Sequence, residues 1–360
     1  MLRPDSSSSG LGPVARERLP HAGPRDWYRG VGLPMRSLDS VSARHRVARG
    51  LAALLAPALL AGACGGDGAT APGPAPTPAP LAREQAVREA VRITAAAQLE
   101  VMRQARPGMT EGDVKAIIDQ VFRQEGADGL AFEHIVATGA HSVEAHYFGN
   151  DGVLTDGDLL VVDIGATRDG WASDMTRTIP VSGIFSSRQR ELYGLALEAQ
   201  QMAARRARTA VDSLQDMQDW VIELYQASSL RGQAADGSLQ TLDSFNPYRL
   251  GHYMGHEVHG EDTGWDWRAP LVEDQALTVE PGMYIADEGI GLRVEDDYWV
   301  GPVGLECLSC PLVPRGPVDI EGVMAAARVG APEVVTPLTR APLPVSPDAT
   351  GQLHMQPQKD

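Results

Sequence analysis

Four acids and a histidine stand among apolar neighbours along this chain. Asp163 follows the apolar run Leu159-Leu160-Val161-Val162, and Asp174 lies in the stretch Trp171–Thr178. Glu280 sits in LTVEPGMY and Glu295 in GLRVEDDYWV, while His252 belongs to the histidine-dense stretch RLGHYMGHEVHGED. Acids inside apolar strands are costly unless paired or bound to metal. Two carboxylates held side by side repel strongly and take up a proton unless a cation lies between them.

The spacing makes such pairs plausible. Arg168-Asp169-Gly170 supplies turn chemistry between two strands. A loop at 168–169 sets Asp163 opposite Asp174, and a loop at 169–170 makes them diagonal neighbours. Both registers put the two carboxylates on one face, whereas a three-residue loop would separate them. For Glu280 and Glu295 the midpoint falls between Asp287 and Glu288, inside the polar turn Ala286-Asp287-Glu288-Gly289, so the two glutamates are expected to face each other. His252 and His259 flank His256, and Gly251, Gly255 and Gly260 let backbone pass close by. Four carboxylates and one imidazole suit a pair of hard or borderline divalent ions such as Mn2+, Fe2+ or Co2+. Two such ions neutralise the four charges, can hold a bridging hydroxide and polarise a carbonyl.

The elements that must position these groups are legible as patterns. Ala82 to Arg106 reads as a helix with an apolar stripe through Val87, Val91, Leu99 and Met102, stopped by Pro107-Gly108. Thr110-Glu111-Gly112-Asp113 is a capping box opening a second helix. Ile135-Val136-Ala137 is a short strand, and the segment from His141 to Asp151 carries His141 and His146 before a turn at Gly149–Gly152. Ser186 to Ala210 and Ser213 to Ser229 read as two more helices. Antiparallel strands with segregated helices point to an α+β architecture.

Composition bounds the rest. With 360 residues, 43% of them hydrophobic, the chain can build one large domain with appendages. Residues 1–63 hold nine Arg and four acids, leaving 22 basic against 43 acidic residues beyond them, a surface that should repel nucleic acid and anionic membrane. Arg44, His45, Arg46 and Arg49 precede the apolar segment Leu51–Ala63, and Ala61-Gly62-Ala63-Cys64 follows. A basic segment, a short apolar core and small residues make an export signal over 35–63, whose apolar stretch Leu51–Ala63 is too short to span a bilayer. The tetrapeptide is similar to a bacterial lipobox, with Ala61 where Leu is usual, so Cys64 is a candidate lipid anchor and a plain cleaved signal peptide the alternative. Met35 is the more natural start, and residues 1–34 are expected to reflect a mis-set start codon. Residues 64–80 form a Gly/Pro/Ala tether, and 331–360 a Pro-rich, polar, disordered tail. Location is expected to be periplasmic or membrane-anchored. Cys307 and Cys310 form a CxxC; with no second cysteine pair, structural zinc is disfavoured and a disulfide favoured over a redox role.

Taken together, VVDIGATRDGWASDMTRT, GHYMGHEVHGED, LTVEPGMY and GLRVEDD resemble the motif series of the M24 pita-bread metallopeptidases, over roughly residues 82–328. Within these the chain is most similar to Xaa-Pro aminopeptidases and prolidases. The resemblance implies a curved antiparallel sheet with flanking helices in a catalytic domain over 81–330, and a dinuclear metal site in that sheet. It implies Asp163 and Asp174 on one ion, Asp174 and Glu295 bridging, and His252 with Glu280 on the second. It makes Glu280 the proton acceptor, His146 and His259 catalytic and substrate-binding histidines, and Arg293 a further substrate-side residue. The implied cofactor is two divalent ions, manganese first, with cobalt, iron or zinc as alternatives, and the implied partner is a peptide; oligomeric state is left open.

Two departures stand out. Tyr248 occupies the position four before His252 that is often His in the prolidase branch, and only the tether precedes Ala82 where that branch carries a separate domain. Peptide-length preference is therefore open. The reading weighed against a methionine-type aminopeptidase (a cytosolic task that the export signal disfavours), a non-catalytic peptide- or partner-binding protein of the same fold, and a creatinase-like hydrolase is a metallo-aminopeptidase acting on Xaa-Pro bonds.

Overall fold

The computed structural model describes residues 82–259 and 266–330. The expected export signal, tether and tail, the alternative start, Cys64, and Gly260, Glu261 and Asp262 lie outside the described residues.

Helix α1 spans Arg83–Gln104 and α2 spans Glu111–Glu125. The first ends two residues before the position expected from the apolar stripe. Ala105 is already extended, and a residue followed by proline, as Arg106 is, disfavours helical backbone. At α2 the Thr110 hydroxyl accepts from the Asp113 amide while the Asp113 carboxylate accepts from the Thr110 amide, the reciprocal cap that the sequence pattern implies. Helices α3 (Ser187–Arg206) and α4 (Leu214–Ala227) open with the same device, at Ser186 with Gln189 and at Ser213 with Asp216. A fifth helix, α5 (Pro317–Gly330), was not anticipated; it starts with proline, which lacks the amide that a first helical turn leaves unpaired.

The strands are β1 (Gly129–Leu130), β2 (Ile135–Thr138), β3 (Leu159–Ile164), β4 (Ala166–Arg168), β5 (Trp171–Ala172), β6 (Met175–Pro180), β7 (Gly232–Gln233), β8 (Leu239–Gln240), β9 (Tyr253–Met254), β10 (Ala276–Val279), β11 (Gly282–Ile285), β12 (Ile290–Arg293), β13 (Asp296–Val300) and β14 (Leu305–Cys307). Pairing is antiparallel throughout, in the ladders β2-β3-β6, β1-β4-β5, β14-β13-β10-β9, β11-β12 and β7-β8.

Two hairpins organise the molecule, and each is broken in the middle. In the first, Asp169 and Gly170 both have positive φ, 47° and 79°, which is the two-residue turn that matches strand twist. Arg168 pairs with Trp171 at the tip and Asp163 with Thr176 further down, so the loop is 169–170 and the diagonal register is the one adopted. The ladder is interrupted because the backbones close in at Gly165, where a Cβ would lie 2.1 Å from the Ser173 carbonyl oxygen. Asp174 therefore stands just ahead of β6 rather than inside a strand. In the second hairpin, Val279 pairs with Asp296 and Gly282 with Arg293, one register on both sides of a gap that holds Glu280-Pro281 and Val294-Glu295. The strands expected over 277–284 and 291–300 are each split there, since proline has no amide for the ladder.

Each break leaves carbonyls in need of a donor, and a buried helix glutamine supplies it. Gln98 of α1 donates to Val162 O and Met175 O, both at 2.9 Å. Gln200 of α3 donates to Val279 O at 3.0 Å and Val294 O at 3.2 Å. The helices thus hold open the stretches that carry the acids.

Candidate metal centre

The two gaps face one cavity. Its lining includes Asp163, Asp174, His252, Glu280 and Glu295, together with His146, His259 and Arg293, and it is walled by Phe132, Ile135 and Val258. All eight site residues named from sequence meet there. His141 and His256 do not: His141 faces Glu111, with its Nδ1 3.0 Å from Oε1, and the exposed His256 lies against Trp171.

The donor atoms converge tightly. One oxygen each from Asp174 and Glu295 and a ring nitrogen of His252 lie within 4.8 Å of one another. His252 Nε2 is 3.4 Å from Glu280 Oε1. The Thr176 hydroxyl donates to Glu295 Oε2 at 2.5 Å, linking the hairpins, and the Thr278 hydroxyl donates to Glu280 Oε1 at 3.0 Å. Arg293 donates to Asp163 Oδ2, to Thr176 Oγ1 at 3.0 Å and to Tyr284 OH at 2.5 Å.

The acids are packed at a cost that a cation would relieve. Burial, then the neighbouring Glu295, Asp163 and Glu280, pushes the Asp174 carboxyl well above the ordinary range. Burial followed by Glu280 and Asp163 does the same to Glu295. Burial raises Glu280 to about 7. The inner oxygens Asp163 Oδ1 and Asp174 Oδ1 are buried with no hydrogen-bond partner. Oxygen-rich donors with one imidazole, two orphaned carboxylate oxygens and repulsion between unneutralised acids fit divalent metal. The histidines are neutral donors and acceptors here. Burial lowers His252 and His146 to about 4, and burial with the nearby His252 and His146 lowers His259 to about 3. The His252 and His259 rings meet edge-on with centroids 4.6 Å apart.

The loop bearing His146 is pinned by a residue that sequence reading assigned only to a cap. Glu111 is fully buried, and its carboxylate accepts from the amides of Thr138 and Gly152, both at 2.7 Å, at the two ends of that loop. Tyr248, in the position often held by His, sets its ring edge-on to both His146 and Tyr284, with centroids 5.6 and 5.5 Å away. Behind the ligands lies Arg177, fully buried with Asp296 and bonded to it at 2.6 Å. Its side chain also reaches the backbone oxygens of Thr176, Glu295 and Pro314. Arg177 and Asp296 fall inside quoted motifs, yet nothing in their spacing announced a buried ion pair.

Comparison with known proteins agrees with this geometry. Over 257 residues the chain is 34% identical to the Xaa-Pro aminopeptidase of Escherichia coli, a match covering 67% of this chain and 58% of that protein. The structure of E. coli aminopeptidase P with the inhibitor Pro-Leu superposes with a TM-score of 0.61 at 32% identity, covering 69% of this chain and 60% of that one. Pseudomonas aeruginosa aminopeptidase PepP gives 0.62 at 33% identity over 69% of this chain and 60% of its own. The chain thus spans 58% of the length of its E. coli relative. The likeness to these structures makes the mixed helical and antiparallel architecture a pita-bread fold. With residues 85–302 matching the Peptidase_M24 family as well, the chain belongs to metallopeptidase family M24.

Proposed function

We propose that this protein is a dinuclear-metal aminopeptidase that hydrolyses the N-terminal residue from peptides, with Xaa-Pro bonds as its preferred substrates. One observation carries the proposal: five donors from both hairpins and the histidine-rich stretch open on one cavity, with three donor atoms within 4.8 Å of one another. The names of the relatives support the Xaa-Pro preference. Asp163, Asp174, His252, Glu280 and Glu295 would hold two divalent ions, manganese first and cobalt, iron or zinc as alternatives. When bound, those ions act as Lewis acids on the scissile carbonyl and on water.

The chain's own groups do the rest. Glu280 opens on the cavity beside His252, and we assign it to take the proton of the attacking water. His146 and His259 are neutral at physiological pH and each can offer an N–H to the substrate carbonyl as it gains negative charge. Arg293, expected on the substrate side, spends its donors on Asp163, Thr176 and Tyr284. We give it the task of orienting Asp163.

Peptide panels test the specificity. Turnover of Xaa-Pro-X substrates well above Met-Ala-X is the expected result; the reverse order would install a methionine-type enzyme, and no turnover by metal-loaded protein a binding protein. Export, to the periplasm or with a lipid at Cys64, is part of the same proposal and rests on the pattern of residues 35–64 alone. The mass of the mature N-terminus tests it.

A further inference from the structure

The Cys307–Cys310 loop takes no part in this chemistry, yet it lies directly behind two of the metal-ligating residues. Strand β14 ends at Cys307, whose sulfur is bonded to Cys310. The disulfide closes a turn with Ser309, fully buried, on its inner side. The Ser309 hydroxyl donates to Asp296 Oδ1 at 2.5 Å and accepts from the Asp297 amide at 3.2 Å. From these neighbours a path runs to each ligand-bearing hairpin. Asp297 Oδ1 accepts the Asp174 amide at 2.9 Å. Asp296 Oδ1 also accepts from Arg177 at 2.6 Å, and Arg177 donates through its other terminal nitrogen to the Glu295 carbonyl oxygen at 2.6 Å.

We propose that Ser309, locked in place by the Cys307–Cys310 disulfide, is a positioning residue for the metal centre that holds Asp174 and Glu295 at the spacing two divalent ions require. The proposal rests on the metal centre described above. A hydroxyl is suited to the task because it donates and accepts at once. Mutating groups that orient metal ligands typically weakens metal binding about 10–100-fold, and Ser309 acts on the ligands through Asp296 and Asp297. The disulfide adds a covalent closure to a turn already held by the Leu308 amide on the Asp297 carbonyl oxygen, 2.8 Å away.

Calorimetric titration of MnCl2 into the metal-free full chain tests this, comparing the parent protein with Ser309→Ala, Ser309→Thr and the double variant Cys307→Ser/Cys310→Ser, each checked for folding by circular dichroism. Ser309→Ala is expected to bind Mn2+ about 10–100-fold more weakly. Ser309→Thr, which keeps the hydroxyl, restores most of the affinity, and the double variant shifts in the same direction as Ser309→Ala. Parent-like affinity in Ser309→Ala with only a lowered melting temperature overturns the proposal, because the bond then serves stability alone. Should Ser309→Ala not fold, parent-like affinity in the double variant overturns it instead. A parent protein that takes up none of Mn2+, Co2+, Fe2+ or Zn2+ overturns the metal centre and this inference with it.

Discussion

His252 Nε2 lies 3.3 Å from Asp174 Oδ2, which joins the histidine-rich stretch to the first hairpin at the centre of the site. Glu295, Asp163 and Glu280, in that order, crowd the charge of Asp174 as well. Asp174→Ala is therefore expected to abolish both metal uptake and peptidase activity. Metal analysis of the purified variant beside a turnover assay checks it, and full turnover would sink the assignment.

His259 lines the cavity with its ring packed edge-on against His252. His259→Ala should lower turnover by about 10²–10³, the usual loss for one donor to a developing oxyanion, with metal content intact. Joint loss of metal and activity would make it a ligand.

Stability of the metal-free protein should fall as pH rises above neutrality. A carboxyl whose folded pKa is raised contributes stability that is complete below its unfolded pKa and is lost as pH climbs through the folded one. Glu280 is raised to about 7, and Asp174 and Glu295 well above the ordinary range. The buried histidines work the other way. With pKa lowered to about 4 and 3, they cost stability only as pH drops below their unfolded value of 6.5. The loss from Glu280 is complete by about pH 7, while that from Asp174 and Glu295 extends further; above pH 6.5, where these histidines no longer contribute, the melting temperature of the chelated protein should decline, and added Mn2+ should restore it. A flat profile in the absence of metal would contradict the crowding of these acids.

Gln200→Leu should destabilise the fold. The glutamine's amide is the donor for the carbonyls of Val279, at the edge of the gap, and of Val294, next to Glu295 within it. Leaving a buried carbonyl unpaired costs about 1–3 kcal/mol, measurable by urea unfolding. A loss below a few tenths of a kcal/mol would mean that the gap supports itself.

Arg177→Ala removes one member of a fully buried ion pair and leaves Asp296 to the Ser309 hydroxyl and to Arg315, 3.7 Å away. The expected cost is about 3–5 kcal/mol, and the same unfolding experiment on Arg190→Ala, whose ion pair with Glu321 is only partly buried, provides the contrast.

Much of the site could be read from the chain alone because its logic is local and periodic. Turn chemistry at Asp169-Gly170 and the midpoint between Asp287 and Glu288 determine which residues oppose one another, and the apolar setting of the four acids marks them as unusual. The capping box at Thr110 and the helices read from Ser186 and Ser213 begin where expected, although the loop at 169–170 could be told from 168–169 only by the observed pairing. Tertiary structure decided what depends on distant partners. Gln98 and Gln200 are polar residues on helices and would pass for solvent-facing positions. They are buried because broken ladders elsewhere need their amides. Arg177, Asp296 and Ser309 satisfy one another behind the ligands, and no spacing in the sequence encodes a bond between strands and loops brought together only when the two hairpins fold onto one cavity.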